Sequence, residues 1–540
     1  MQQQDNKHRT RVIAGDDWWR GAVIYQIYPR SFADSNGDGV GDLKGITARL
    51  KHVASLGVDG IWLSPFFTSP MKDFGYDVAD FCGVDPIFGS LEDFDELLET
   101  AHRLGLKVII DQVYSHTSDQ HAWFQASREG RDSDKADWYI WADARPDGTP
   151  PSNWQSVFMG PAWTFDSRRG QYYLHNFLSS QPDLNVHNPA VQKALLDTAR
   201  FWLDRGVDGF RLDAVNFYMH DPEFRDNPAL AGAKGHKPFD LQDHLYNQSH
   251  PDIPKFLERI RGLLDEYPES FAVAEVGGER ALEEMQLYTE GGKRLQTAYS
   301  FEFLEADTLS AAVIRDAVAA WPQAAGTGWP SFTFSNHDRP RAVTRWARSE
   351  SEELDPRFAI FLNTLLCSLR GSICLYQGEE VGLPQGRVPF ERLVDPEAIA
   401  NWPDTLGRDG TRTPIPWLKG VPHAGFSEAE PWLPVDERHH DFAIDAQEKD
   451  PKSPLHALRD FLAFRHKELA LVKGSISFLD TAEPVLAFVR EHEGRKLLCV
   501  FNLGTEAAEW AEGNGMLLYS VNEAEPGKAL PPISGYIAAL

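Results

Sequence analysis

Apolar and polar positions follow one recurring unit along this chain: an amphipathic stretch of helical period, a glycine, then a short apolar run ending in polar residues. LKGITARLKHVASLG leads into VDGIWLSP, LEDFDELLETAHRLG into LKVIIDQVYSH, VQKALLDTARFWLDRG into VDGFRLDAV, and FAIFLNTLLCSLRG into SICLYQGEE. Apolar residues three and four apart give a helix one buried stripe, whereas a short apolar run bounded by turn residues suits a strand covered on both faces. Gly57, Gly105, Gly206 and Gly371 stand where a helix C-cap needs a left-handed residue. VIYQIYP near 25, FAVAEVGG near 273, TAYSFEF near 300 and SFTFSNHD near 334 bring the candidate strands to eight. Eight strands in rotation with helices predict an α/β fold closed as a (β/α)8 TIM barrel. An open doubly wound sheet is the alternative, but no GxGxxG turn follows the first strand.

The rhythm fails between Val113 and Asn188, a stretch rich in Trp, Pro, Gly and Asp without helical period. That predicts a small domain inserted after the third strand. A second irregular stretch, from about Leu383 to Lys452, reads as a long loop excursion after the eighth strand. Beyond PLHALRDFLAFRHKEL the pattern changes to short alternating runs, SISFLD, VLAFVRE, KLLCVFNL, MLLYSVN and YIAAL, which predict a C-terminal antiparallel β domain. The expected division is barrel over 1–113, insert over 114–187, barrel again over 188–466 and β domain over 467–540.

Charge narrows the partners. With 53 basic and 80 acidic residues the formal charge is -27, which repels phosphate backbones and anionic membrane surfaces, so neither nucleic acid nor membrane is expected. Cys82, Cys367, Cys374 and Cys499 form no CxxC pair and read as buried thiols in a reducing compartment. No apolar run near the start suits a signal peptide, and the stretch from Phe358 to Tyr376 is broken by Asn363, Arg370 and Gly371. The expectation is a cytoplasmic protein, monomeric or weakly dimeric, with a small-molecule substrate.

In a barrel of this kind, polar residues at the C-terminal ends of the strands face the active site. Three candidate strands end in a carboxylate there: Asp213 in GFRLDAV, Glu275 in FAVAEVGG and Asp338 in FTFSNHD; Asp111 and His116 close a fourth, in DQVYSH, and His337 adjoins Asp338. Any one such acid is as readily a helix cap or a partner of an arginine. Three acids at one rim would repel if all were ionised, so at least one should hold a proton, and a nucleophile beside a general acid is the glycosidase arrangement. Arg211 lies two residues before Asp213, on the same strand face, where its cation would keep Asp213 ionised.

A separate loop, DSNGDGVGDL, offers Asp34, Asn36, Asp38, the Val40 carbonyl and Asp42 at the first five liganding positions of an EF-hand, with Gly39 at the tight turn. The twelfth position is Gly45, so the usual bidentate glutamate is missing and affinity should be modest. A plain Asx/Gly turn accounts for the same residues without a cation.

DQVYSH, GFRLDAV, AEVGG and FSNHD, with QPDLN at 181–185, resemble in order the five sequence regions of the α-amylase superfamily, glycoside hydrolase family 13, from about residue 20 to the C-terminus. The resemblance implies Asp213 as nucleophile, Glu275 as general acid/base and Asp338 as the third acid, holding sugar hydroxyls as the ring distorts. It implies that His116, Arg211 and His337 line the same subsite. Asp73 and Tyr76 in DFGYD would bind the terminal glucose, and Arg412 in RTPIPW would close the pocket. Phe158 and Phe177 are weaker correspondences that core packing would equally explain.

QPDLN resembles the oligo-1,6-glucosidase and α-glucosidase branch, which implies a structural Ca²⁺ or Mg²⁺ in the 34–42 loop, no organic cofactor, and exo-action with retention on short α-glucosides such as maltose or sucrose. Asn216 and Phe217 stand where endo-acting amylases usually have a lysine. The branch's oligo-1,6-glucosidases typically carry Val after the nucleophile, so Ala214 implies a preference for α-1,4 bonds. Two departures fall on the acceptor side: Gly277 and Gly278 replace bulkier residues, and TPIPW stands for the usual TPMQW. The alternatives are an oligo-1,6-glucosidase, a glucosyltransferase or isomerase of the trehalose synthase type, and a non-catalytic subunit like the transporter heavy chains. The last would need a membrane anchor and the loss of catalytic acids; no apolar run of spanning length is read here and the acids are kept, so it is not the expected reading.

Overall fold

The computed structural model describes residues 15, 17–233, 235, 237–324, 327–403, 405, 407–510 and 515–540. Eight parallel strands close into a barrel: β1 (Val23–Ile27), β2 (Gly60–Leu63), β3 (Lys107–Gln112), β4 (Gly209–Leu212), β5 (Phe271–Val276), β6 (Thr297–Ser300), β7 (Trp329–Phe332) and β8 (Ser372–Tyr376). They run round the barrel in chain order, with β1 paired to β2 on one side and β8 on the other, so the open sheet is excluded.

Both faces of these strands are buried, which is why they read as apolar runs. In β1, Val23, Tyr25 and Ile27 pack in the layer that includes the surrounding helices. Ile24 belongs to an interior cluster with Trp62, Ile109, Phe271, Trp329 and Cys374, closed by Trp18 and Trp19.

Helices Leu43–Ser55, Leu91–Arg103 and Pro189–Arg205 deliver the chain to β2, β3 and β4. The glycines that follow them, Gly57, Gly105 and Gly206, have φ of 89°, 77° and 102°, the left-handed conformation expected of them. Gly371 is different. The helix Pro356–Ser368 ends at Leu369 in extended conformation, and a Cβ on Gly371 would lie 2.9 Å from the Phe332 ring and 3.1 Å from the Pro330 carbonyl oxygen. Close approach of β8 to β7, not a left-handed cap, requires glycine there.

Between β3 and the helix Pro189–Arg205 the chain forms a three-stranded antiparallel sheet of Trp141–Ala142, Gln171–Leu174 and Trp163–Asp166, with Gln171–Leu174 in the middle. It also holds one helix, Ala122–Arg128, that the apolar pattern did not reveal; seven residues make two turns, too few for a period to show. The stretch from Leu383 to Lys452 contains short helices and turns, and no strand among its described residues. The five C-terminal runs form strands β9 (Ser475–Phe478), β10 (Val485–His492), β11 (Arg495–Asn502), β12 (Met516–Val521) and β13 (Ser534–Ala539) of one antiparallel sheet, in the order β9-β10-β11-β13-β12.

Candidate active site

The register of β3, β4 and β5 assembles the acids. Asp111 lies opposite Arg211, and Glu275 stands opposite Tyr299 of β6. The side chain of Arg211, fully buried, meets all three carboxylates at once. Its Nη1 donates to Asp111 Oδ1 at 2.7 Å and to Asp213 Oδ1 at 2.5 Å, and its Nη2 pairs with Glu275 Oε1. Tyr299 receives Arg211 Nη2 at 3.0 Å on its hydroxyl and donates to Glu275 Oε1 at 3.1 Å. The guanidinium also lies over the Trp62 ring, 5.0 Å from its centroid.

Asp213 follows β4 by one residue, and the chain then turns sharply: Ala214 has φ 42° and ψ 50°, leading into the short turn Val215–Phe217. That turn aims the Ala214 amide at Glu275 Oε2, 3.1 Å away, so the backbone beside the nucleophile position holds the second acid.

Asp338 does not lie at a strand end as expected. β7 stops at Phe332, and Asp338 sits in the loop beyond, where the Asn336 side chain accepts the Asp338 amide at 2.9 Å and the Arg339 amide at 3.0 Å. Arg412 Nη2 donates to Asp338 Oδ1 at 2.8 Å and its Nε to the His337 carbonyl at 2.7 Å. His337 is held between Gln26 on Nδ1, at 2.8 Å, and Tyr76 on Nε2, at 2.6 Å, with the Tyr76 ring stacked on it at 5.3 Å. Tyr76 and Trp62 both donate to Asp111 Oδ2, at 3.1 and 3.0 Å. His116 contacts the Tyr76 carbonyl at 3.1 Å, and Gln181 bridges His116 to Asp73. Phe177 packs against His116, Phe158 and Phe217 with ring centroids 5.0 to 6.0 Å apart, which places both insert phenylalanines at the site instead of in a remote core.

Burial raises Asp213 to about 7, against the lowering pull of Arg211 and with the help of Asp111. Glu275 also rises to about 7, by burial first, opposed by Arg211 and reinforced by Asp213 and Asp338. Asp111 rises to about 6 by burial, again opposed by Arg211. Arg211 alone was expected to keep Asp213 ionised; its single charge is shared by three carboxylates, and desolvation outweighs each share. Asp338 goes the other way. Burial pushes it up, but His337, Arg412 and Arg408 hold it well below the ordinary range. Because burial also drives His337 down to about 3, the two guanidiniums carry that effect at neutral pH.

All twelve residues expected at the substrate site fall in one connected network. Three more were missed. Arg408 Nη2 binds Asp73 Oδ1 and Asp395 Oδ1, both at 2.8 Å, its Nη1 reaches Asp338 at 3.5 Å, and its guanidinium lies over the Phe158 ring at 4.9 Å. Its only sequence signal was a second arginine four residues before Arg412. Tyr299 could have been found from strand alternation in TAYS, and Gln181 from its place in QPDLN.

The 34–42 loop is wound as a series of Asx turns. Asp34 accepts the amides of Asn36, Gly37 and Gly39 at 3.0, 2.8 and 2.9 Å, Asn36 Oδ1 accepts that of Asp38 at 3.0 Å, and Asp38 Oδ1 that of Val40 at 2.9 Å. Asp42 caps the helix Leu43–Ser55 through the Gly45 amide at 2.7 Å.

Residues 26–474 match the family described as alpha amylase, catalytic domain, and the chain belongs to that family, the α-amylase family of glycoside hydrolases. It is 53% identical over 528 residues to a probable alpha-glucosidase of Rhizobium meliloti (strain 1021), covering 96% of this chain and 93% of that one. It is 36% identical over 522 residues to the oligo-1,6-glucosidase of Heyndrickxia coagulans, covering 90% of this chain and 92% of that one. Among solved structures, an alpha-glucosyl transfer enzyme superposes with a TM-score of 0.92 at 53% identity over 97% of this chain and 99% of the other.

Proposed function

We propose that this enzyme is a retaining, exo-acting α-glucosidase that hydrolyses terminal α-glucosidic bonds of short α-glucosides, maltose-type α-1,4 bonds before others and sucrose among them. The observation that carries the mechanism is the shared guanidinium: Arg211 touches Asp213 with one terminal nitrogen and Glu275 with the other. Two carboxyls bonded to the two terminal nitrogens of one guanidinium are held close, which favours the short separation of retaining sites, about 5 to 5.5 Å, over the wider one of inverting sites. Asp213 attacks the anomeric carbon, Glu275 protonates the leaving oxygen, and water activated by the same Glu275 then releases the glucosyl-enzyme. Asp338, kept ionised by Arg412 and Arg408, accepts hydrogen bonds from sugar hydroxyls. Asp73, His116 and His337 surround the same ring.

Asp213→Asn and Glu275→Gln should each lower maltose kcat by several orders of magnitude while the fold is retained. A folded variant of either kind with more than about a tenth of wild-type kcat contradicts the assignment.

Transfer to an acceptor sugar or alcohol is a second activity favoured by one observation. Beyond Glu275, a Cβ on Gly277 would meet only the Phe301 ring at 3.9 Å and one on Gly278 only Gln248 at 3.5 Å, so no bulky side chain crowds that side. The similar solved structure is named for glucosyl transfer.

Our reading includes a structural Ca²⁺ or Mg²⁺ held by Asp34, Asn36, Asp38, the Val40 carbonyl and Asp42. What supports it is the donor set: these are hard oxygen ligands at the liganding positions of an EF-hand, and the Asp38 carboxylate, which accepts only the Val40 amide and the Asn36 side chain, keeps further lone pairs. It also includes a cytoplasmic location, supported by four free thiols; Cys367, Cys374 and Cys499 are buried as expected, whereas Cys82 is only half-buried. Among the described residues no helix is long and apolar enough to cross a membrane.

A further inference from the structure

The chain leaving the insert meets the start of the helix Ile253–Leu264 away from the acid cluster. There His187, His250 and Asp252, all half-buried, bring ligand atoms within 4.8 Å of one another, the one such group of three among the described residues. The His187 and His250 rings are perpendicular, with centroids 4.8 Å apart. His187 Nε2 lies 2.8 Å from the His220 carbonyl. A ring nitrogen that donates to a carbonyl fixes the tautomer and leaves the opposite nitrogen with its lone pair outward, the support a metal-binding histidine needs. His250 Nδ1 faces the Asp252 amide at 3.2 Å; whichever ring nitrogen binds a cation, this one long bond is what it displaces. Lys255 engages Asp252 Oδ1 at 2.6 Å, which leaves Oδ2 available. A cavity of about 320 Å³, lined by His187 and His220 with Asp137 and Asn185, opens beside the group and admits water.

We propose that His187, His250 and Asp252 form a binding site for a divalent transition metal of the zinc type. Two imidazoles and a carboxylate suit such an ion, whereas Ca²⁺ and Mg²⁺ prefer oxygen donors alone. Three protein ligands leave a position for water from the cavity. The site staples the end of the insert to the segment that returns to the nucleophile: Ser249 donates its amide to the Asn216 carbonyl at 2.6 Å, and the Gln248 side chain accepts from Asn216 Nδ2 at 2.9 Å. A metal there therefore stiffens the acceptor side from outside.

The test uses full-length protein stripped by chelation and then held in excess Ca²⁺, titrated with Co²⁺ by visible absorption and with Zn²⁺ in competition. The expected result is one equivalent with a histidine-ligated absorption band, a Zn²⁺-dependent rise in Tm, and affinity weakened at least about tenfold by His250→Ala and by His187→Gln. Asp38→Ala, in the separate loop, should leave this site intact. Asp252→Ala replaces either histidine variant that fails to fold by circular dichroism. Absence of both the band and the Tm rise in wild type, or unchanged affinity in two folded ligand variants, overturns the proposal.

Discussion

Arg211 divides one positive charge among Asp111, Asp213 and Glu275, and the division sets both the reactivity of the site and its burden on the fold. Glu275 moves from 4.5 to about 7 on burial. Between those values the native protein binds more protons than the unfolded chain, so stability falls as pH rises through that window. Glutamine cannot acquire the charge. Glu275→Gln should therefore be more stable than wild type at pH 8, by on the order of 1 to 3 kcal/mol, with a much smaller difference at pH 5. Paired thermal melts at the two pH values read this directly, and an equal shift at both would contradict it. We propose that Ala214 governs linkage. A missing pair of methyls beside the leaving-group side leaves room for the acceptor sugar of an α-1,4 glucoside, worth about 1 to 3 kcal/mol of discrimination. Maltose should exceed isomaltose in kcat/KM, and Ala214→Val should move the ratio toward isomaltose. The left-handed backbone at 214 adds a cost, since a β-branched residue is strained there, so the variant should also melt lower. A wild-type preference for isomaltose, or a ratio unmoved by the substitution, sinks this account.

Among the elements, the 34–42 loop joins the end of β1 to the first barrel helix, because Asp42 is both a proposed ligand and the helix N-cap. A cation bound only to the native loop stabilises by mass action, about 2.7 kcal/mol at a hundredfold excess over Kd. Chelation should lower Tm, and Ca²⁺ or Mg²⁺ should restore it in wild type but not in Asp38→Ala. An unchanged Tm in exhaustive chelator would mean a bare turn. How far the elements could be read beforehand depended on what makes each one form. The barrel strands and their helices were legible because burial on both faces, or on one stripe, writes itself into the sequence at fixed periods. The helix Ala122–Arg128 was not, being too short for a period, and neither was the reason for Gly371, which lies in contacts with Phe332 and Pro330. Arg408 escaped notice because its partners Asp73, Asp338 and Asp395 come from three separate loops, one of them the irregular stretch after β8. Asp213 and Glu275 were found because strand ends in a barrel point to one rim.

For the whole molecule, closure of the barrel gathers residues from β3, β4, β5 and β6 and the loops beyond around a single guanidinium. The insert contributes Phe158 and Phe177 to this cluster, and the excursion after β8 contributes Arg408 and Arg412. On the proposed reading the cluster receives one sugar ring at a chain end, and its paired carboxyls dictate the stereochemical course. The direct measurement is proton NMR of maltose hydrolysis in its first minutes, before mutarotation mixes the anomers. Double displacement predicts that the glucose released from the non-reducing end appears first as the α-anomer; initial release as the β-anomer would contradict it.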